Sequence, residues 1–564
     1  MFGKQLDRFR LRLADADALA PLVVLGILSG AASGALLLSF RALVELILTS
    51  TVSPGDPEAF EQLRWELRFA LPMMGAALIA WLFSALGPTH AHVGIVHVME
   101  RLAYHHGRMP WRNAVAQYVG ALISLCAGHS MGREGPGVHL GAAAGSWVGN
   151  GLGVPNNSMR ILIACGTAGS IAASFNTPIA GVIFAMEVVM MEYTIVGFTP
   201  VILASAVAAW MSRAVYGADA AFALPALELS SLLELPFVIF VGVTMGLVAT
   251  VFVRTTQKLQ TVSHSWSLRR RFGLAGLIMG AAAVVAPSVM GIGYDTVEAT
   301  LSNELSVQFL LLILVVKMVA SISCAGLGLP AGVIAPMLFI GATAGATLGI
   351  IGHEMAPSLS SNPGFYAILG MGALMAACLH APLAALMAIL ELTANVNIML
   401  PGMVCIVSAV LVARSGFRLE PMFVALLRVR GGDYVTDPVA LALSRSGVTM
   451  RMSTDLEEFR DRLPTPAVGL TNDRRVPRWL VLIKDGKASL HDTSTTDPSD
   501  SSELAALLAG EAVATDEISV RATVQEAREA LGASGAQALL VRRLDQRICG
   551  VLTMEMLGAT ALVR

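Results

Sequence analysis

Charge is what this chain is short of. Of its 564 residues, 14% are Asp, Glu, Lys or Arg and 55% are hydrophobic, whereas soluble proteins carry about 25% charged residues. With a mean hydropathy of +0.68, the composition excludes an ordinary water-soluble globule and points to an integral membrane protein. The six cysteines, at 126, 165, 324, 378, 405 and 549, lie mostly in apolar segments and show neither disulfide nor metal spacing. There is no nucleophile–base motif, and no His-Glu-x-x-His occurs among the histidines at 90, 92, 97, 105 and 106. No enzymatic activity, cofactor or nucleic-acid partner is therefore expected. A secretory leader is missing too: Met1–Ala20 carries Lys4, Arg8, Arg10 and Arg12 rather than a short basic stub before an apolar run. Residues 1–19 are expected to form a cytoplasmic N-terminal helix.

Long apolar runs are abundant. They lie near 20–50, 68–86, 114–127, 159–190, 196–215, 235–253, 272–293, 307–326, 332–352, 364–400 and 401–416, enough for many crossings of a hydrocarbon core about 30 Å thick. Several are too short or glycine-rich for a simple span, and the two longest must turn within the membrane. Backbone freed at such breaks has to face protein or a water-filled cavity. The loop 254–271 holds Arg254, Lys258, Arg269, Arg270 and Arg271 without an acid, the pattern of a cytoplasmic loop. The 216–234 loop, with Asp219, Glu228 and Glu234 and no Lys or Arg, is expected outside.

The chain repeats itself. GREGPGVHLGAAAGSWVG at 132–149 returns 200 positions later as GVIAPMLFIGATAGATLG, matching at Gly132/Gly332, Pro136/Pro336, Gly141/Gly341, Gly145/Gly345 and Gly149/Gly349. A second pair, 172–188 and 376–392, matches at Pro178/Pro382, Ala180/Ala384 and Glu187/Glu391. Duplicated apolar segments interrupted by Gly and Pro point to a substrate site at the repeat interface, built from the ends of broken helices.

Gly132-Arg133-Glu134-Gly135-Pro136 carries the chemistry. Charged residues cost roughly 2.5–3.5 kcal/mol each on insertion scales, so an intramembrane Arg–Glu pair is a functional-site candidate. Pro136 suits a first helical turn, where unpaired N–H donors and the positive dipole end favour an anion. A glutamate there can occupy the anion site with its own carboxylate and leave it by swinging away or taking a proton. The competing reading is an internal Arg133–Glu134 salt bridge.

Beyond about residue 430 the apolar runs stop, and a Ser/Thr/Asp-rich stretch at 492–502 reads as a loop. Residues 517–557 read as a strand, an amphipathic helix, a buried strand at Ala538–Val541, a turn, a strand at Cys549–Leu552 and a helix. This order resembles a CBS module, with 437–490 as a degenerate first copy. Glu555 stands where that family commonly has a ribose-binding aspartate, so nucleotide binding is not expected.

Across residues 20–425 the chain resembles the CLC family of chloride channels and transporters. Gly-Arg-Glu-Gly-Pro and Gly332-Val333-Ile334-Ala335-Pro336 match two family signatures, and 174–188 and 380–393 match its corresponding helices. The resemblance implies an all-α polytopic membrane protein of CLC-type inverted-repeat fold, with repeats at about 20–215 and 232–425 inside a 20–429 transmembrane domain. A small α/β CBS-like tandem domain would occupy 430–564. It further implies a homodimer with one chloride path per subunit, in the plasma (inner) membrane with both termini cytoplasmic. Glu134 would be the external gate, and Val93, Gly94, Arg133, Gly135, Val333, Ile334 and Phe423 would surround the anion.

Three departures from the family pattern bear on mechanism. The first signature falls on His92-Val93-Gly94-Ile95-Val96, replacing a serine hydroxyl with Val93, and the family's pore tyrosine aligns with Phe423. Hydrogen bonds to a charge are worth roughly 1.5–3 kcal/mol, so the central site should hold chloride weakly, behind an apolar constriction that can gate by dewetting. Val188 stands where many exchangers carry an inner proton-relay glutamate, leaving Glu192 and His380 as the nearby titratable groups. The expectation is a passive chloride channel, with a proton-coupled Cl−/H+ antiporter as the alternative and anion choice among chloride, bromide, nitrate and fluoride open. A metal-cation transporter is the remote alternative, since it would need several carboxylates around one cavity and the membrane region offers chiefly Glu134, Glu187 and Glu391.

Overall fold

The computed structural model describes residues 9–15, 18–52, 58–222, 227–357, 360–434, 438–460, 477–484, 487–494, 507, 510, 512–543 and 545–558. They belong to two compact units, one of residues 23–151 and 160–435, the other of residues 1–22, 152–159 and 436–564.

The larger unit is built from helices of very unequal length. Its first half contains α1 (Leu19–Thr51), α2 (Trp65–Leu86), α3 (Gly94–Tyr104), α4 (Trp111–Cys126), α5 (Glu134–Leu152), α6 (Asn156–Phe175), α7 (Pro178–Phe184) and α8 (Ile195–Tyr216). The second contains α9 (Leu235–Ser263), α10 (Leu268–Val285), α11 (Tyr294–Leu301), α12 (Val307–Leu327), α13 (Ile334–Met355), α14 (Pro363–Leu379), α15 (Pro382–Thr393), α16 (Met399–Leu411) and α17 (Met422–Val429). Eight helices among the described residues are long and apolar enough to cross a membrane.

The two longest apolar runs are broken. Residues 159–190 fold as α6, α7 and a π-helical turn at Ala185–Met190, and residues 364–400 contain α14 and α15. The breaks fall at Asn176 and His380, with φ of 58° and 54°, after which Pro178 and Pro382 take first helical positions that need no N–H. Each new helix start is then capped from the other repeat. Glu391 accepts from the Ile179 and Ala180 amides at 3.0 and 2.7 Å, and Glu187 accepts from Leu383 and Ala384 at 3.4 and 2.7 Å. A carboxylate against first-turn amides satisfies orphan donors and opposes the helix dipole. The matched glutamates of the second duplicated segment are therefore reciprocal clasps.

The matched glycines explain the first duplicated segment. A Cβ on Gly141 would lie 2.2 Å from the Gly166 carbonyl oxygen, and one on Gly341 would lie 2.4 Å from that of Gly370. Gly145 and Gly345 meet Leu162 and Tyr366 carbonyls as closely. Small residues thus let α5 cross α6, and α13 cross α14, backbone to backbone.

Glu234, the last residue of the loop expected outside, is 5% exposed. It accepts from the Ser231 and Ser361 amides and from the Ser361 and Tyr366 hydroxyls, because a capping box at Ser231–Glu234 folds it inward. Within the expected N-terminal helix, residues 9–13 are helical and α1 begins at Leu19; residues 1–8 lie outside the described ones.

The smaller unit holds two three-stranded sheets of identical topology. β1 (Leu456–Arg460) pairs parallel to β2 (Trp479–Lys484), which pairs antiparallel to β3 (Lys487–Asp492); β4 (Thr515–Ser519), β5 (Ala538–Arg542) and β6 (Ile548–Thr553) repeat the order. Parallel pairing needs a crossover, supplied in the second sheet by the helix Val524–Ser534, whose Thr523/Glu526 capping box starts it. The corresponding segment of the first sheet, 461–476, and most of the 492–502 loop lie outside the described residues. Strand alternation divides β5 between two cores: Leu539 and Val541 pack with Val524 and Leu531, and Ala538 and Leu540 with Trp479 and Val481. Glu555 is exposed.

Replacing Glu391 or Glu187 with Ala strands two first-turn amides and is expected to cost about 2 kcal/mol, within the range for hydrogen bonds to a charge. Thermal unfolding of the detergent-purified protein should show a lowered midpoint for either variant, with the Gln variants intermediate. Unchanged midpoints would mean that the clasps carry no stability.

Candidate functional site

The two repeats meet at Gly132 and Gly332. Gly132 N–H donates to the Gly332 carbonyl at 2.8 Å and Gly332 N–H returns the bond at 2.7 Å, an isolated antiparallel bridge between loops. α5 starts two residues after Gly132, at Glu134, and α13 two after Gly332, at Ile334. Their first-turn amides, having no intrahelical acceptor, are held side by side.

The Glu134 side chain folds back onto this junction. It is 1% exposed, and its Oε2 lies 2.0 Å from where a Cβ on Gly132 would stand and 2.7 Å from one on Gly332. Only glycine at both positions leaves room for the carboxylate. The carboxylate faces the amides of its own residue and of Ala335 without hydrogen-bond geometry, and both oxygens are buried without a partner among the described residues. Arg133 does not form the competing salt bridge. Its guanidinium stacks over Phe175 and Tyr294, 5.5 and 6.0 Å from the ring centroids.

Val93, Gly94, Gly135, Val333 and Phe423 line one cavity of about 80 Å³. One water needs about 10–15 Å³ by this measure, so the space accommodates an anion with several waters. The N-terminal ends of α3, α5, α13 and α17 border it, and four positive dipole ends around one space favour negative charge. Val93 and Phe423 give the wall an apolar face. Ile334 instead lines a separate cavity of about 30 Å³ with Phe175, Phe184 and Met375, and Val188 is buried in the π-helical turn. Glu192, four residues beyond Val188, lies 3.9 Å from Arg160, and His380 sits at the α14–α15 break.

Sequence reasoning missed three residues here. Gln117, fully buried, accepts from Gly94 N–H at 2.6 Å and donates to the Pro330 carbonyl at 2.8 Å, so the Gly94 amide is engaged with Gln117 and two cavity walls are tied together. Lys317 stands at the matched position of the second repeat, 15 residues before Gly332 as Gln117 is before Gly132. Its Nζ donates to the carbonyls of Val289, Gly291 and Ile292 at 3.1–3.2 Å and lies 4.5 Å from the Phe339 ring centroid. A lone lysine in the apolar run 307–326 was the available signal. Arg430, just after α17, lines the cavity with a buried, unpartnered Nη1.

The histidines pair with other groups. His97 Nδ1 and His139 Nε2 share a 2.8 Å hydrogen bond, His92 lies 3.5 Å from Glu100, and the described residues contain no cluster of three metal-ligating side chains. Glu187 and Glu391 are committed to helix starts.

Inverted repeats meeting at a buried carboxylate, beside a cavity ringed by helix N-termini, define a polytopic membrane protein of anion transport. A family model described as "Voltage gated chloride channel" matches residues 75–414, and the chain belongs to that family, the CLC proteins. It is 31% identical over 359 residues to "Putative chloride channel protein ClcB-like" of Ralstonia nicotianae, covering 63% of this chain and 84% of that protein. It is 30% identical over 376 residues to "H(+)/Cl(-) exchange transporter ClcA" of Vibrio parahaemolyticus, covering 63% and 80%. The solved structure of a slow cyanobacterial Cl−/H+ antiporter superposes with a TM-score of 0.64 at 26% identity, over 72% of this chain and 97% of that one.

Glu134→Gln mimics the protonated carboxyl. It is expected to raise chloride flux at neutral pH in reconstituted vesicles and to flatten its pH dependence. A normally folded variant with the wild-type pH profile would remove Glu134 from the gate.

Proposed function

We propose that the protein exchanges chloride for protons across the membrane, with Glu134 as both gate and proton acceptor. The observation that carries this reading is the Glu134 carboxylate folded into the Gly132/Gly332 junction, where an anion would otherwise meet the amides of α5 and α13. A carboxylate in an anion path must leave or be neutralised before an anion passes, which couples the two ions at one place. The Vibrio relative and the cyanobacterial structure are both named as exchangers, which favours coupling over passive conduction.

Val188 supports the second reading, a passive channel, because valine cannot carry a proton. Glu192 is the carboxylate best suited to replace it, following the same π-helical turn and sitting near Arg160. Val93 and Phe423 leave the cavity without hydroxyl donors, so anion binding would rest on helix N-termini and on Arg430. Nothing in this wall distinguishes chloride from bromide, nitrate or fluoride.

The remaining assignments follow the family pattern. The protein would act as a homodimer with one path per subunit, in the plasma (inner) membrane with both termini cytoplasmic. The smaller unit, with its twofold-repeated sheet order, would be a CBS tandem that binds no nucleotide.

Purified protein in vesicles with an outward chloride gradient and no proton gradient provides the test. Exchange predicts chloride-driven proton uptake that builds a pH gradient where none was imposed, abolished by Glu134→Gln and slowed by Glu192→Gln. A reversal potential that follows chloride alone would establish the channel instead.

A further inference from the structure

Tyr294 places a buried phenol against Arg133, the residue before Glu134, and its hydroxyl has no hydrogen-bond partner among the described residues. Unsatisfied buried hydroxyls are costly and call for an explanation. The ring is held in place on several sides. It packs edge-on to Phe222 at 5.4 Å and tilted against Phe175 at 6.5 Å, with the Arg133 guanidinium 6.0 Å from its centroid. The backbone beneath it is equally fixed. Tyr294 N–H donates to Glu58 Oε2 at 2.7 Å, and Lys317 grips the carbonyls of Gly291 and Ile292 just before it. Gly293, at φ 80°, turns the chain into α11.

The charged groups around this phenol come from every neighbouring element. Glu134 and Arg133 at the start of α5, Arg41 of α1 and Glu58 of the segment before α2 interact electrostatically with it. Asp295 is the next residue on its own helix, and it and Lys317 of α12 act on Glu58. Glu134 is the one among them whose carboxylate is itself buried and unpartnered.

We propose that Tyr294 is the outer seat of the gate: when the Glu134 carboxylate leaves the glycine junction, the Tyr294 hydroxyl donates to it beside Arg133 and holds it clear of the anion path. Tyr294 is a positioning residue, and this role rests on the gate reading of Glu134. The hydrogen bond is charge-assisted with the carboxylate and weaker with the neutral acid, so it stabilises the open gate chiefly when Glu134 is ionised. Tyr294 would hold the carboxylate outside the junction after it has released its proton, so that an anion can take its place at neutral pH.

The test is chloride flux from vesicles containing wild type, Tyr294→Phe, Glu134→Gln and the double variant, at about pH 4.5 and pH 7.5. Phenylalanine keeps the ring packing. Tyr294→Phe is expected to slow flux about tenfold at the higher pH, the scale of one charge-assisted hydrogen bond, and under about twofold at the lower on the same basis. In the Glu134→Gln background the same substitution should change nothing. A loss equal at both pH values, or one that persists in the Glu134→Gln background, would show that Tyr294 acts only through packing and overturn the proposal. If Glu134→Gln itself leaves flux and pH profile unchanged, the gate reading fails and the seat with it. If Glu134→Gln opens the path while Tyr294→Phe is silent, the seat alone fails.

Discussion

Two hydrogen bonds between Gly132 and Gly332 hold the centre of this protein together. Each is an ordinary backbone pair, worth about 0.5–1.5 kcal/mol net, and their importance lies in geometry. They fix the starts of α5 and α13 against each other, so the unpaired amides of two helices from different repeats share one space. They also leave a hollow that only a pair of glycines provides, and the Glu134 carboxylate fills it. Further from this point the structure serves to keep the junction in register. Glu187 and Glu391 clasp the broken helices across the repeats, and Gln117 ties the Gly94 and Pro330 walls.

The junction also explains how a membrane protein tolerates charge at depth. A carboxylate without hydrogen bonds in a buried site is unfavourable, and Glu134 is not neutralised by its neighbour Arg133, which is engaged with aromatic faces. An unsatisfied acid with an anion-favouring environment has reason to exchange places with an anion or to take a proton. In the proposed exchange, transport follows from that instability. The apolar wall at Val93 and Phe423 adds little anion affinity of its own, leaving helix N-termini to set it.

Much of this was legible because glycine, proline and isolated charge have local physical meaning. Gly132, Glu134 and Pro136 announce a helix start around an acid, and the repeat 200 positions later announces its partner. The strands expected at Ala538–Val541 and Cys549–Leu552 agree with β5 and β6 to within one residue at each end. What sequence could not display were contacts between distant residues. Gln117 meets Pro330 across 213 positions and Glu391 meets Ile179 across 212, and hydropathy cannot reveal either. That the two longest runs must turn was expected, but not where: a left-handed residue such as Asn176 or His380 leaves no mark on apolarity. The inward turn of Glu234 depends on its capping box and on Ser361 and Tyr366, which are distant in sequence.

The central claim is that the Glu134 carboxylate and a transported anion compete for the Gly132/Gly332 junction. Crystals soaked in bromide test it most directly through anomalous diffraction. In Glu134→Ala a bromide peak is predicted beside the first-turn amides of α5 and α13, at the place the carboxylate occupies in the wild type, where no peak should appear at neutral pH. Bromide at the same position in both proteins, or an empty junction in Glu134→Ala with bromide bound elsewhere along the path, would contradict the account.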